Sequence, residues 1–202
     1  MLGGVLVGDL PRSGIGRAVE MELAASTDSL RASVEASNKL LLDSLREDEW
    51  SDQLYEITLK DARLGRMSYP VEAKHADLKN TLLHPRFGVS QLKEDGTYKV
   101  RAVDNFSWSA RVARDKKKRG IDGSVNAFTV AFEKLTHDSL DVLVAALCEF
   151  HSLSDEVPGL VKINVDSAFR RVPIRPGDRW VCGIAFVAKG KVRYSFLVGL
   201  AR

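Results

Sequence analysis

The chain has 202 residues, 45% hydrophobic and 28% charged, which are globular proportions and exclude a fibrous or disordered polypeptide. A net charge of +3 is compatible with a nucleic-acid partner but far from a histone-like excess. Two cysteines, Cys148 and Cys182, cannot make a disulfide framework; with no secretory leader and no membrane-length apolar run, the chain reads as intracellular, cytoplasmic or nuclear, with no membrane role.

The first third is expected to be helical. Thr27-Asp28 can cap a helix that places Leu30, Val34, Leu41 and Leu45 on one face. A second helical stretch holds Trp50, Leu54, Ile57 and Leu64, with Gly65 as its stop. The segment from Ala76 to Leu83 reads as a short helix ended by Pro85.

From Arg86 the period changes. Phe87, Val89 and Leu92 alternate with polar residues, Glu94-Asp95-Gly96 marks a turn, and Tyr98, Val100, Ala102 and Phe106 form the return strand of a hairpin. Residues 109–124 read as an exposed basic loop ending in Asp122-Gly123. An amphipathic helix follows, with Asp138 near its start and Leu140, Leu143, Val144 and Leu147 on one side. Beyond Pro158-Gly159 come a buried strand (residues 160–165), a helical turn at Ala168-Phe169, and a second hairpin. Its strands run over residues 180–188 and 192–198, joined by Lys189-Gly190. Helices first, then strands mixed with one long helix, indicate an α+β architecture built on antiparallel pairs.

Two segments carry the chemistry. One is Lys99-Val100-Arg101-Ala102-Val103-Asp104, with Asn126 downstream; the other is Asn164-Val165-Asp166-Ser167-Ala168-Phe169-Arg170-Arg171-Val172-Pro173-Ile174, trailed by Pro176-Gly177-Asp178-Arg179. In this order they resemble the fingers motif K-x-R-x-V-D and the first palm motif D-x-x-x-A-[YF]-x-x-[VI]-P-[IL] of retroelement reverse transcriptases. Leu64-Gly65-Arg66-Met67-Ser68 and Pro85-Arg86-Phe87-Gly88-Val89 also resemble the lead-in of divergent members. The resemblance implies a helical lead-in over residues 1–84, then partial fingers and palm over 85–202. It implies RNA-directed DNA polymerisation with Mg²⁺ on a primer–template, with the remaining palm and thumb as partners if the gene continues. It further implies that Lys99 and Arg101 hold a triphosphate and that Phe169 gates the sugar.

Two-metal nucleotidyl transfer needs carboxylates on a rigid strand end. The family's metal-binding aspartate stands at the position of Asn164, an amide; Asp166, on the same face in strand geometry, is the candidate substitute and metal ligand. The chain contains no Asp-Asp pair, which the family's second palm motif supplies. The expectation is therefore a reverse-transcriptase-like fragment without polymerase activity of its own. The alternative is a non-catalytic nucleic-acid-binding remnant.

Lys116, Lys117, Lys118 and Arg119 can track phosphates, act as a nuclear import signal, or form a solvated loop. Cys148-x-x-His151 has a metal-like spacing but no second pair, and reads as a core cysteine beside a surface histidine. Val5-Leu6-Val7-Gly8 followed by Gly14-Ile15-Gly16 superficially resembles a short-chain dehydrogenase opening, which would imply nicotinamide-nucleotide binding. No alternating strand–helix series follows it.

Overall fold

The computed structural model describes residues 26–108, 139–154 and 174–197, with short pieces at 9–10, 17–18, 125, 130–131, 133–134, 156–157, 159 and 161. Two small pairings involve strands β1 (Asp9–Leu10) and β2 (Arg17–Ala18), which pair with β6 (Val130–Ala131) and β7 (Glu133–Lys134), respectively. The main body is a pair of helices and a five-stranded mixed sheet, an α+β arrangement.

Helix α1 (Thr27–Ser44) begins one residue earlier than its expected cap. Ser26 has extended backbone, and its Oγ accepts a hydrogen bond from the Ser29 N–H at 3.2 Å. Asp28 falls in the first turn, where the helix dipole favours it. Leu30, Val34 and Leu41 are buried, as their spacing requires. Helix α2 (Ser51–Arg63) buries Leu54 and Ala62 and stops at Gly65, whose φ of 70° is a left-handed conformation suited to glycine.

The expected helix over residues 76–83 does not form. A 3₁₀ turn over Ala73–His75 gives way to irregular chain, and Leu83 already opens strand β4 (Leu83–Leu92). Asn38 of α1 is the cause. Its Nδ2 donates to the Leu78 and Thr81 carbonyls, both at 2.7 Å, and its Oδ1 accepts from the Leu83 N–H at 2.9 Å. One buried amide thus satisfies three backbone groups that a helix would otherwise have had to satisfy. Pro85 lies inside β4 because it precedes the first pair with β5 (Tyr98–Asp104), Arg86↔Asp104, so its missing N–H falls at the end of that ladder.

The sheet runs β3 (Val71–Glu72), β9 (Lys191–Phe196), β8 (Gly183–Ala188), β4, β5. Both expected hairpins are present: β4–β5 with Gly96 at φ 78°, and β8–β9 with Lys189 and Gly190 at φ 54° and 66°, a turn that matches strand twist. The second starts later than expected, because residues 176–181 coil into a 3₁₀ turn. The β4–β8 pairing is parallel and joins the two hairpins into one sheet, so the sheet is mixed rather than purely antiparallel. The boundary expected at residue 84 lies within β4.

The helices cover opposite faces of this sheet. Leu41 of α1 packs on Leu83 and Ala185, whereas Leu54 of α2 packs on Phe186 and Ala188. Adjacent strand residues point to opposite faces, so Ala185 and Phe186 require covers on both sides. A fully buried leucine contributes about 1.5–3 kcal/mol, so these contacts are principal terms in stability. The β4–β8 ladder ends at Pro85↔Ala185, and residues 45–50 cross from one face to the other where the strands part. A Cβ on Gly88 would stand 2.6 Å from the Trp50 Cβ, so only glycine lets this crossing approach β4.

The expected amphipathic helix is α3 (Leu140–Ser154). The Ser139 Oγ accepts from the Val142 N–H at 3.4 Å at its start; Asp138 lies outside the described residues. Leu140, Leu143 and Val144 are exposed and Leu147 is half-buried. Cys148 is exposed, which corrects the expectation of a core cysteine, because it lies on a helix whose residues are almost all solvent-facing. No helix among the described residues is long and apolar enough to cross a membrane.

Candidate functional site

The β4–β5 hairpin has two unlike faces. On one, Arg86, Gly88, Val100, Ala102 and Asp104 lie toward α2 and Trp50. On the other, the cross-strand pairs Phe87↔Val103, Val89↔Arg101 and Gln91↔Lys99 extend beyond the reach of α1. Phe87 is 38% and Val89 44% exposed, and Lys99 and Arg101 are exposed beside them. Two residues along a strand span about 7 Å, so the two cations lie in a row on one uncovered face. Among the described residues, neither side chain has a hydrogen bond or ion pair. In contrast, Lys74 and Lys191 both bind Glu72.

The hairpin is anchored by a buried ion pair. The Arg86 Nε donates to Asp104 Oδ1 at 2.6 Å and its Nη2 to Oδ2 at 3.0 Å, with side-chain exposures of 0% and 9%. The Arg86 Nη1 donates to the Thr58 hydroxyl of α2 at 2.7 Å, and Nη2 lies 3.2 Å from the Met67 sulfur. Asp104, the carboxylate of the K-x-R-x-V-D segment, therefore locks β4, β5 and α2 together. Asn105 follows immediately, and its N–H donates to the Pro85 carbonyl at 3.0 Å.

Where β4 and β8 part, a cleft of about 300 Å³ opens, lined by residues including Leu45, Asp48, Phe87, Asn105, Trp108 and Val187. Phe87 belongs to both the cleft wall and the uncovered hairpin face. The Asp48 Oδ1 accepts from the Trp50 N–H at 2.9 Å and the Ser51 hydroxyl at 3.1 Å, which fixes the carboxylate at the start of α2. The Asn105 Oδ1 accepts from the Ser107 N–H at 3.1 Å, and Asn105 lines the cleft. Sequence reasoning did not single out Asp48, Trp108 or the role of Phe87. They are far apart in the chain, and only the β4–β8 pairing brings them together.

Other titratable groups serve the structure. His84 is fully buried against Phe106, with ring centroids 4.6 Å apart, and its Nε2 lies 3.1 Å from the Val181 carbonyl. Burial pulls its pKa down to about 4, so the ring is neutral and donates to that carbonyl. Burial pushes the Cys182 thiol up to about 12, an unreactive state. Hydrogen bonds from Lys191 and Lys74 hold the Glu72 carboxyl down at about 2.

Of the site residues expected from sequence, Lys99 and Arg101 are on the uncovered hairpin face. Asn164, Asp166, Phe169 and the basic run Lys116, Lys117, Lys118 and Arg119 lie outside the described residues, as does the glycine-rich segment at 14–16. Among the described residues no three His, Cys, Asp or Glu side chains cluster as metal ligands, and Asp104 is committed to Arg86. Comparison of the chain with family models, with curated proteins and with solved structures finds no match.

Proposed function

We propose that this chain is a reverse-transcriptase-like fingers and partial palm unit whose β4–β5 hairpin binds nucleic-acid phosphates. The observation that supports the reading is the exposed row of Lys99 and Arg101 beside Phe87 and Val89, on a face that α1 leaves bare. Charge-assisted hydrogen bonds from lysine and arginine are the strong interactions available to a phosphate, and adjoining apolar side chains can cover sugar or base. The polymerase parentage rests on the sequence motifs at 99–104 and 164–174, and it implies a primer–template as partner and Mg²⁺ as cofactor. With an amide at position 164 and no Asp-Asp pair, the chain by itself binds nucleic acid without extending a primer.

The test is binding of a labelled primer–template as a function of salt. Affinity is expected to fall steeply between about 50 and 200 mM salt, and the double variant Lys99→Glu, Arg101→Glu to weaken binding at low salt and flatten the slope. Unchanged binding by the double variant sinks the hairpin assignment. Template-dependent extension by the wild-type chain with Mg²⁺ or Mn²⁺ sinks the claim of inactivity.

A further inference from the structure

The cleft beside the hairpin is continuous with the basic face, and the two differ in character. Phe87 ends one and begins the other. Outside, Lys99 and Arg101 supply positive charge. Inside, the walls include Phe87, Trp108, Leu45 and Val187, with Asp48, Asn105, Arg46 and Arg86 among the polar groups, and Arg86 is already paired with Asp104. The Arg46 Nη1 is already bound to the Asp43 and Leu45 carbonyls, at 2.7 Å each.

That division of charge selects an occupant. A phosphate inside would meet the Asp48 carboxylate and two arginines already engaged, Arg46 by backbone carbonyls and Arg86 by Asp104, whereas the exposed cations Lys99 and Arg101 stand outside along β5. A flat aromatic group with donors and acceptors on its rim suits the interior, because aromatic walls cover its faces and the Asn105 Nδ2 and Asp48 Oδ2 can pair with its edge. The volume of about 300 Å³ is at the lower end of small-ligand sites and is room for one such ring. We infer that the cleft holds a single unpaired nucleobase, while the phosphates of the same strand run outward over Arg101 and Lys99. The inference rests on the nucleic-acid reading above and narrows it to single strands, since a base enters only when it is out of a duplex stack.

The experiment compares three probes on the wild-type chain at low salt: a short single-stranded oligothymidylate, the same oligomer with abasic sugars, and a duplex of equal length. The oligothymidylate should bind best. Removing the bases is expected to weaken binding about tenfold or more, as loss of aromatic stacking does, and the duplex should bind more weakly than the single strand. Phe87→Ser, at a half-exposed position, should bring the oligothymidylate down toward the abasic affinity without altering the salt slope. Equal binding of all three probes, with charge reversal at Lys99 and Arg101 still effective, overturns the base pocket and leaves the phosphate surface standing. If none of the probes binds, the nucleic-acid reading falls and the pocket with it.

Discussion

Arg86 and Asp104 face each other across β4 and β5 and are joined by two hydrogen bonds, at 2.6 and 3.0 Å, in a site almost closed to water. The pair also reaches α2 through the Thr58 hydroxyl, so it ties three elements at the root of the hairpin that carries Lys99 and Arg101. A buried ion pair adds little over a well-packed apolar pair, but half of one is costly, because the remaining charge has lost its partner. Asp104→Ala should therefore destabilise the fold by about 3–5 kcal/mol in urea denaturation. The double change Arg86→Met, Asp104→Leu should recover much of that loss. A single variant as stable as wild type would show that the pair does not anchor the hairpin.

The close approach at Gly88 gives a second expectation. An added Cβ would meet the Trp50 Cβ at 2.6 Å and the Val100 Cγ1 at 3.2 Å. Trp50 belongs to the crossing segment and Val100 to β5, so one of them must shift, and Gly88→Ala should cost about 1–3 kcal/mol, read as a shift in the denaturation midpoint. A neutral result would mean that residues 45–50 can shift away from β4 at little cost.

His84 makes stability depend on pH in a defined window. Its folded value of about 4 lies below the ordinary imidazole value of 6.5, so the unfolded chain binds the proton first and stability falls as the medium is acidified. The loss should begin near pH 6.5 and reach about 2 kcal/mol by pH 5, levelling off below the folded value. Glu72 acts in a lower window: its carboxyl is depressed to about 2, so its contribution is present above pH 4.5 and lost below that. Denaturant midpoints measured from pH 7 to 5 separate the two. A flat profile over that range would mean that His84 accepts a proton without unfolding.

The two thiols should differ. Cys148 is exposed on α3, whereas Cys182 is buried with its ionisation pushed up to about 12. Native protein should release colour from a thiol reagent at one site, and denatured protein at two. Fast reaction of both in the native state would argue against the packing of Val181 and Cys182 beneath α1.

Lys99 and Arg101 are surface groups with no described partner, so their charge reversal should change stability by less than about 0.5 kcal/mol. A thermal melt of the double variant checks this, and an unchanged melt lets any loss of nucleic-acid binding be read as loss of contact. A large drop in melting temperature would assign these side chains to the fold instead.

Local pattern was legible in the chain wherever one element's own periodicity carried the information. Alternation around Phe87, Val89 and Val100, with Asp95-Gly96 between, marked the first hairpin, and Lys189-Gly190 marked the second, since both depend on strand period and on positive φ at the turn. The spacing of Leu30, Val34 and Leu41 marked α1 by the helical period. The alternate placement of Lys99 and Arg101 put both cations on one strand face without any tertiary knowledge.

What only the tertiary structure decided are the relationships between residues distant in the chain. Asn38 takes the backbone of residues 78–83 away from a helix that its local sequence favoured. Arg86 claims Asp104, the parallel β4–β8 pairing merges two hairpins, and Trp50 crosses at Gly88. Bare exposure of the Phe87–Arg101 face and the cleft at its end follow from where α1 stops over the folded sheet. The physical reason is that side-chain period is set by covalent geometry, residue by residue. Which face is covered, and which polar group is satisfied by which partner, is settled only when distant segments compete for the same buried contacts.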